Sequence, residues 1–437
     1  MRVALIDLKE SPRGCNNKDK SGSFGNTMSG EGLFSKLYGF LKSTKARTPV
    51  VHMGYLSAIF RKSGHSVHYY ESFPKDEDLV ILASSITGYD EELEFARKVK
   101  EKNPRAKVGF INAFSTVKPE IFLDGGADFI LPGEPEWAAI ELAEGRLEPK
   151  GVLPQKLMED LEALPFPDWR GFPVARFDYW PALKRRPVLP VVTSRGCSFD
   201  CSFCPYMVTQ TKKFRSVGAK YAVDEIQFHQ KHHGIRSVVF RDIIFSIHKP
   251  RTAELAEEIL RRRVKIEFTC ETRTDCLTEE LLELLARAGL RTIHFGIESP
   301  EDAIVKQNGR KPIAETQQEK IIRACERLGI KVIAFYILGF LQDTPETMQH
   351  TINYARHLNT YLAQFNLMTP YPGTRYYEEL KDRILTEDWK QYTSYHPLIR
   401  LDHIDSGTLL QYKQKAYRDY YFNWKWFAKN GLQVAWG

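Results

Sequence analysis

Cys197, Cys201 and Cys204 are separated by three and then two residues, in Gly196-Cys197-Ser198-Phe199-Asp200-Cys201-Ser202-Phe203-Cys204, and carry the most specific chemical signal in the chain. Three thiolates on one short loop can converge on a single metal centre, and an iron-sulfur cluster normally takes four ligands. One iron would then stay open to a substrate, which separates a catalytic metal site from a closed structural one. A zinc knot completed by a remote histidine is the alternative, but the histidine spacing of such a knot is missing nearby. Cys15, Cys270, Cys276 and Cys325 are scattered and read as ordinary thiols. Seven cysteines, an odd number with three clustered, suit a metal site in a reducing compartment better than a disulfide framework.

The 437 residues exceed one ordinary core, and about 150 residues per domain predicts two or three folded units. A content of 43% hydrophobic and 27% charged residues is that of a globular protein rather than a disordered one. The net charge of +7 is small for this length, and the basic runs, such as Lys184-Arg185-Arg186, are short and separated. They read as solvated faces, and no nucleic-acid partner is expected. No apolar run approaches the ~20 residues that cross a bilayer, and the N-terminus lacks the order of a signal peptide, so a cytoplasmic protein is expected.

The cysteine loop needs a scaffold, and the apolar periodicity predicts two. Residues 2–8, 66–70, 79–84, 107–111 and 129–131 read as strands, alternating with helices over 49–62, 90–102 and 135–144. That alternation predicts an α/β unit over 1–150, a doubly wound, flavodoxin- or Rossmann-like parallel sheet. Prolines interrupt 151–186, which reads as a linker, or as an ordered strap given its apolar residues. Strands over 188–193, 237–242, 265–272, 292–297, 331–338 and 363–369 then alternate with helices over 219–233, 249–263, 278–288, 314–328 and 345–358. Together they predict a partial six-unit parallel barrel over 187–384. In such barrels the chemistry lies where strands end, and the cysteine loop directly follows the first strand. The extension over 385–437 is rich in Trp and Tyr and reads as mostly helical, with its aromatic residues packed on its own domain.

The cysteine spacing, with an aromatic residue before the last cysteine at Phe203, resembles the radical S-adenosylmethionine superfamily. The resemblance implies a 4Fe-4S cluster on Cys197, Cys201 and Cys204, with S-adenosylmethionine chelated to the open iron by its amino and carboxylate groups. One-electron cleavage would give a 5′-deoxyadenosyl radical that abstracts hydrogen from unactivated carbon. Segments closing the later strands also look like superfamily counterparts: Phe240-Arg241-Asp242, Glu271-Thr272-Arg273, Phe295-Gly296-Ile297-Glu298-Ser299, Tyr336-Ile337-Leu338-Gly339-Phe340 and Thr369-Pro370-Tyr371-Pro372-Gly373-Thr374. By resemblance Phe203, Asp242, Glu271, Arg273, Glu298 and Gly339 are cofactor contacts. Arg273 would pair with the cofactor carboxylate, Glu298 would accept hydrogen bonds, and Gly339 would let backbone approach adenine.

The N-terminal stretch is similar to the cobalamin-binding module that precedes this barrel in one branch of the superfamily. The matching segments are Met53-Gly54-Tyr55-Leu56-Ser57-Ala58 through Gly64-His65-Ser66-Val67, Ala83-Ser84-Ser85-Ile86-Thr87, and residues 128–134. The resemblance implies cobalamin, with Ser84, Ser85, Thr87 and Gly133 among its contacts. The Asp-x-His-x-x-Gly signature that supplies cobalt with a histidine is absent, and Phe110-Ile111-Asn112 replaces the usual glycine pair. A flavodoxin-like sheet can instead hold a flavin or serve as an interaction module.

The implied reaction is C-methylation of a small-molecule, lipid or natural-product substrate, with electrons from an external reductant such as flavodoxin or ferredoxin. Cobalamin-dependent cyclisation or rearrangement uses the same cofactors and differs in substrate pose. Methylthio transfer would need three further cysteines near the N-terminus, where only Cys15 stands. An iron-sulfur or zinc protein without catalysis, which would not cleave S-adenosylmethionine, is the reading from another class.

Overall fold

Strands made of unbroken aliphatic runs, such as Leu79–Ala83 (LVILA), are buried on both faces and require a parallel sheet covered by helices. The computed structural model, which describes residues 1–11, 14–27 and 46–431, contains two such sheets. In the first, β1 (Arg2–Ile6), β2 (Ser66–Tyr70), β3 (Leu79–Ala83), β4 (Lys107–Ile111), β5 (Phe129–Ile130) and β6 (Gly151–Val152) run in the order β6-β5-β4-β3-β1-β2, parallel throughout. Helices α1 (Val51–Lys62), α2 (Tyr89–Lys102) and α3 (Glu136–Ala143) connect them. The order turns between β1 and β3, where open sheets of this kind form a crevice. β6 lies inside the proline-rich stretch read as a linker, too short to carry a periodic signal.

The second unit begins with β7 (Val188–Val191) and an antiparallel two-residue hairpin, β8 (Ser194–Arg195) with β9 (Arg215–Ser216). Then α4 (Ala219–His233), β10 (Ser237–Phe240), α5 (Lys249–Arg261), β11 (Glu267–Thr272), α6 (Glu279–Ala288) and β12 (Leu290–Glu298) follow. The chain continues through α7 (Glu315–Arg327), β13 (Lys331–Leu338), α8 (Pro345–Leu358), β14 (Leu362–Leu367) and α9 (Ser406–Tyr421). The sheet runs β7-β10-β11-β12-β13-β14, all parallel, and among the described residues its two end strands are not joined, so no closed barrel forms. Thr344, with Pro345 at the first helical position, caps α8 reciprocally with Thr347 and fixes where that helix starts.

An open sheet leaves unpaired backbone groups along its last strand. Here α9 covers that edge with tyrosine hydroxyls: Tyr417 accepts from Phe365 N (3.2 Å) and Tyr421 accepts from Ala363 N (3.1 Å) and donates to Ala363 O (2.8 Å). Tyr420 donates to Thr360 O at 2.6 Å. The aromatic tail therefore packs on its own unit, although Phe422, Trp424 and Phe427 remain exposed.

The proline-rich stretch is an ordered strap. Trp169 is fully buried against α1, Asp168 N donates to Gly54 O (2.9 Å), and Ala182 O accepts from Thr292 Oγ1 (2.6 Å). One apolar cluster runs from Leu56 and Phe129 through Trp169 and Leu183 to Phe240 and Leu282, so the strap joins the cores of both units. A Cβ on Gly54 would stand 2.6 Å from the Trp169 ring and 2.8 Å from Pro167. Gly54→Ala gains about 1 kcal/mol of helix propensity, but overpacking against a buried indole costs about 1–3 kcal/mol. A net loss is expected, read as a lower urea midpoint for the full chain.

Candidate functional site

Both ends of the cysteine loop are fixed by short-range geometry. Gly196 adopts φ +86°, and its Cα lies so close to Lys213 O that a Cβ would collide with that carbonyl. Cys197 N donates to Thr211 O (3.1 Å), Ser202 N donates to Asn308 O (3.0 Å), and Cys204 N donates to Cys201 O (3.2 Å). Phe203 packs edge-on against Phe340 with centroids 5.5 Å apart. The loop is thus tied to the turns that follow β12 and β13.

All three cysteines face one cavity of about 410 Å³, a size ordinary for a small-molecule site. β11 ends there with Glu271 and Thr272, and Arg273 follows directly. The register of β12 shifts between Gly296 and Glu298, and Glu298 takes φ +66°; such a bulge re-aims a side chain, and Glu298 lines the cavity beside Arg310. Tyr179, Trp180, Pro181 and Ala182 of the strap close one side. Asn17, Lys20, Ser21 and Asn26, from the segment after β1, close another. Deeper in, His294, Ile333, Phe335, Ile337 and Leu362 make a largely apolar wall.

Burial dominates the electrostatics. It pushes the Cys204 thiol up to about 12, with Cys201 adding to the effect, and raises Cys197 as well. Grouped thiols that resist ionisation fit a cationic metal centre, which takes them as thiolates and offsets their charge. Among the described residues no three His, Cys, Asp or Glu side chains converge as a single metal ion requires. A cuboidal cluster places each thiolate on a separate iron and needs no such convergence. Arg273 is 2% exposed. It stacks on Phe199 at 4.2 Å, donates twice to Asp275 at 2.9 Å, and leaves Nη1 without a partner. A buried, unpaired guanidinium nitrogen at a cavity wall fits a ligand carboxylate. Burial raises Glu298, opposed first by Arg310 and then by Arg273.

Cys197, Cys201, Cys204, Phe203, Glu271, Arg273 and Glu298 therefore share the cavity, whereas Asp242, Gly339, Ser84, Ser85, Thr87 and Gly133 lie outside its wall. Asp242 is buried beneath the loop, where its carboxylate accepts from Thr193 N (2.7 Å), Thr193 Oγ1 (2.6 Å) and Ser194 Oγ (2.6 Å). Gly339 faces Leu409 of α9. Ser84 donates to Ile111 O (2.7 Å), Ser85 donates to Glu92 Oε1 (2.5 Å), Thr87 is buried, and Gly133 sits under the Gln155 side chain. Residues 16–26 fill the crevice there: Lys18 Nζ donates to Ala83 O (2.7 Å) and pairs with Glu92 (3.0 Å), and Phe24 stacks on Tyr371 (4.8 Å). Asn26 Oδ1 and Asn112 Oδ1 are buried without a hydrogen-bond partner, acceptors suited to a ligand rich in amides. Sequence reasoning missed Lys20, Tyr179, Tyr206, His294 and Arg310, which sit in irregular segments or inside a strand and carry no motif of their own.

Residues 191–355 match the family model of the radical SAM superfamily. The chain is 27% identical over 377 residues to an uncharacterised methyltransferase of Pyrococcus horikoshii, covering 81% of each. It is 26% identical over 379 residues to the bacteriochlorophyllide d C-12(1)-methyltransferase of Chlorobaculum tepidum, covering 79% of this chain and 81% of that one. Among solved structures it is similar to the radical S-adenosylmethionine methyltransferase TsrM from Kitasatospora setae, which has cobalamin and a 4Fe-4S cluster bound. The TM-score is 0.64 at 17% identity, covering 87% of this chain and 78% of that one, a likeness of fold.

One titration near the site has a direct consequence. Asp343 accepts from Gly339 N (2.8 Å) and Phe340 N (2.9 Å), and burial raises it from 3.8 to about 6. The folded chain holds this proton more tightly than the unfolded one, so the contribution of Asp343 to stability is fully present below pH 4 and is lost as pH rises through 6. The contribution is about 3 kcal/mol at ~1.4 kcal/mol per unit. Asp343→Asn keeps an acceptor for both amides, and denaturant titrations between pH 4 and 7 should show that this component of the slope is gone.

Proposed function

We propose, from the premise that this chain belongs to the radical S-adenosylmethionine enzymes that carry a cobalamin-binding domain, that it transfers a methyl group to an unactivated carbon of an apolar small molecule. The observation that carries the reading is the gathering of Cys197, Cys201, Cys204, Arg273 and Glu298 on one cavity wall beneath a segment of the first unit. When bound, the cluster supplies the electron that cleaves S-adenosylmethionine, and cobalamin supplies the methyl group.

The chain's own residues hold, orient and shield. The three thiolates hold the cluster, and Nη1 of Arg273 takes the carboxylate of S-adenosylmethionine while Asp275 keeps the guanidinium in place. Glu298, held beside Arg310, accepts from the cofactor's hydroxyl or amino groups. Asn17, Lys20, Ser21 and Asn26 are better placed to face cobalamin across the cavity than Ser84, Ser85, Thr87 or Gly133, whose surroundings are filled from within. The wall of Ile333, Phe335, Ile337 and Leu362 excludes water and receives the apolar body of the substrate, so that a substrate radical would meet no competing hydrogen-atom donor there.

In this reading the first unit, expected over 1–150 and carried to Val152 by β6, is the Rossmann-like cobalamin unit, the strap runs on to 186, 187–384 is a partial radical SAM barrel, and α9 of the extension after 384 seals its edge. The chain is also 30% identical, over 61% of its length, to an anaerobic magnesium-protoporphyrin IX monomethyl ester cyclase of Rubrivivax gelatinosus. The fuller coverage of the methyltransferases, 79–81% of each chain, favours methyl transfer over cyclisation. The electron would come from an external donor such as flavodoxin or ferredoxin. No helix among the described residues is long and apolar enough to cross a membrane, in keeping with a cytoplasmic setting.

Anaerobic reconstitution followed by iron, sulfide, cobalamin and deoxyadenosine analysis tests the proposal. Cys201→Ala should lower deoxyadenosine formation by roughly two orders of magnitude or more, since the cluster loses a ligand. Activity at the intact level would overturn the assignment. Arg273→Lys keeps the charge but loses the planar fork, and should weaken S-adenosylmethionine binding by about 10–100-fold in equilibrium dialysis.

A further inference from the structure

Arg195 and Arg215 face each other directly across the β8–β9 hairpin, and every residue of the cysteine loop lies between them. Two like charges in opposed register repel, the more so where Arg195 is 2% and Arg215 5% exposed. Two carboxylates of the first unit, Glu134 on the turn after β5 and Glu136 at the first position of α3, neutralise them. Glu134 bridges both: its Oε2 accepts from Arg195 Nη1 (2.9 Å) and Arg215 Nη1 (3.0 Å), and its Oε1 accepts from Arg215 Nη2. Glu136 accepts from Arg195 Nη1 (2.9 Å) and Nη2 (2.8 Å), and His52 Nδ1 stands 2.8 Å from the same carboxylate. Both glutamates are buried. Arg195 also stacks on Tyr55 of α1 at 5.2 Å, and Arg215 donates to Met158 O of the strap at 2.8 Å.

We propose that Glu134 and Glu136 are positioning residues for the cysteine loop: they hold its base closed from the first unit, so that this unit completes the cluster site in addition to any ligand it carries. The ladder above the hairpin depends on that closure, because Cys197 N donates to Thr211 O and Gly196 N donates to Gln210 Oε1 (2.8 Å) only while the two ends stay side by side. A carboxylate that bridges two guanidinium groups is a geometric device, and neither amide nor water reproduces its charge.

The proposal rests on the cysteines as cluster ligands only for its consequence, and the test separates the two. In the metal-free full chain, Glu134→Gln with Glu136→Gln should raise amide hydrogen exchange over residues 196–214 by about tenfold or more, with β1, β3, β11 and β13 unchanged. After anaerobic reconstitution the same variant should bind less iron, and a potentiometric EPR titration should give a shifted midpoint. Should the double variant fail to fold, Arg215→Met removes one cation and leaves the Arg195–Glu136 pair for the same readouts, with Arg215→Lys restoring part of the protection. Loop exchange equal to wild type would overturn the proposal, as would loosening spread evenly through both sheets. Loop loosening in a chain whose intact form binds no iron would sustain the grip and overturn the cluster assignment instead.

Discussion

Ionisable groups buried in opposition govern this molecule. Thiols, guanidinium groups and carboxylates meet in places where water cannot solvate them, and each must be answered by a counter-charge or a ligand. Cys197 and Cys204, raised by burial, meet no cation among the described residues strong enough to ionise them. Arg273 is answered in part by Asp275, with one nitrogen left over. Arg195 and Arg215 are balanced in charge by Glu134 and Glu136, although Arg215 Nε is left without a hydrogen-bond partner. The thiols and Arg273 lie on the cavity wall, and the charge-balanced cluster of Arg195, Arg215, Glu134 and Glu136 lies behind it.

The open second sheet gives those groups room. A closed eight-stranded barrel fills its interior with its own side chains. Six unclosed strands leave a cavity, at the cost of two exposed edges. Tyr417, Tyr420 and Tyr421 seal the β14 side with hydroxyls in place of a neighbouring strand. The strap crosses the molecule and lends Tyr179 to Ala182 as a wall. The bulge at Glu298 then turns a strand residue inward without interrupting the parallel ladder.

The two units are one assembly around that cavity. Lys18 and Phe24 fill the first sheet's crevice, while Lys20 of the same segment donates to Tyr179 of the strap (2.5 Å) and lies 3.8 Å from Glu271 of the second sheet. Arg241, following β10, binds Asp19 of that segment. A ligand held by the first unit would therefore press on the chain that roofs the second.

Much of this was legible in the sequence, because local signals are physical constraints of short range. Short aliphatic runs rich in Val and Ile that alternate with amphipathic helical stretches fit buried parallel strands and the helices that cover them; the bounds of α4, α8 and β13 follow from pattern alone. Cys197, Cys201 and Cys204 declare their chemistry by spacing. What the sequence could not decide is which polar side chains lie free and which are satisfied from afar. Asp242 and Ser85 look like ligands until Thr193 and Glu92 are found on them, 49 and 7 residues away. Arg310, Lys20 and Arg215 carry no local pattern. Their roles arise where segments distant in the chain bury charge together, and such meetings are set by tertiary packing alone.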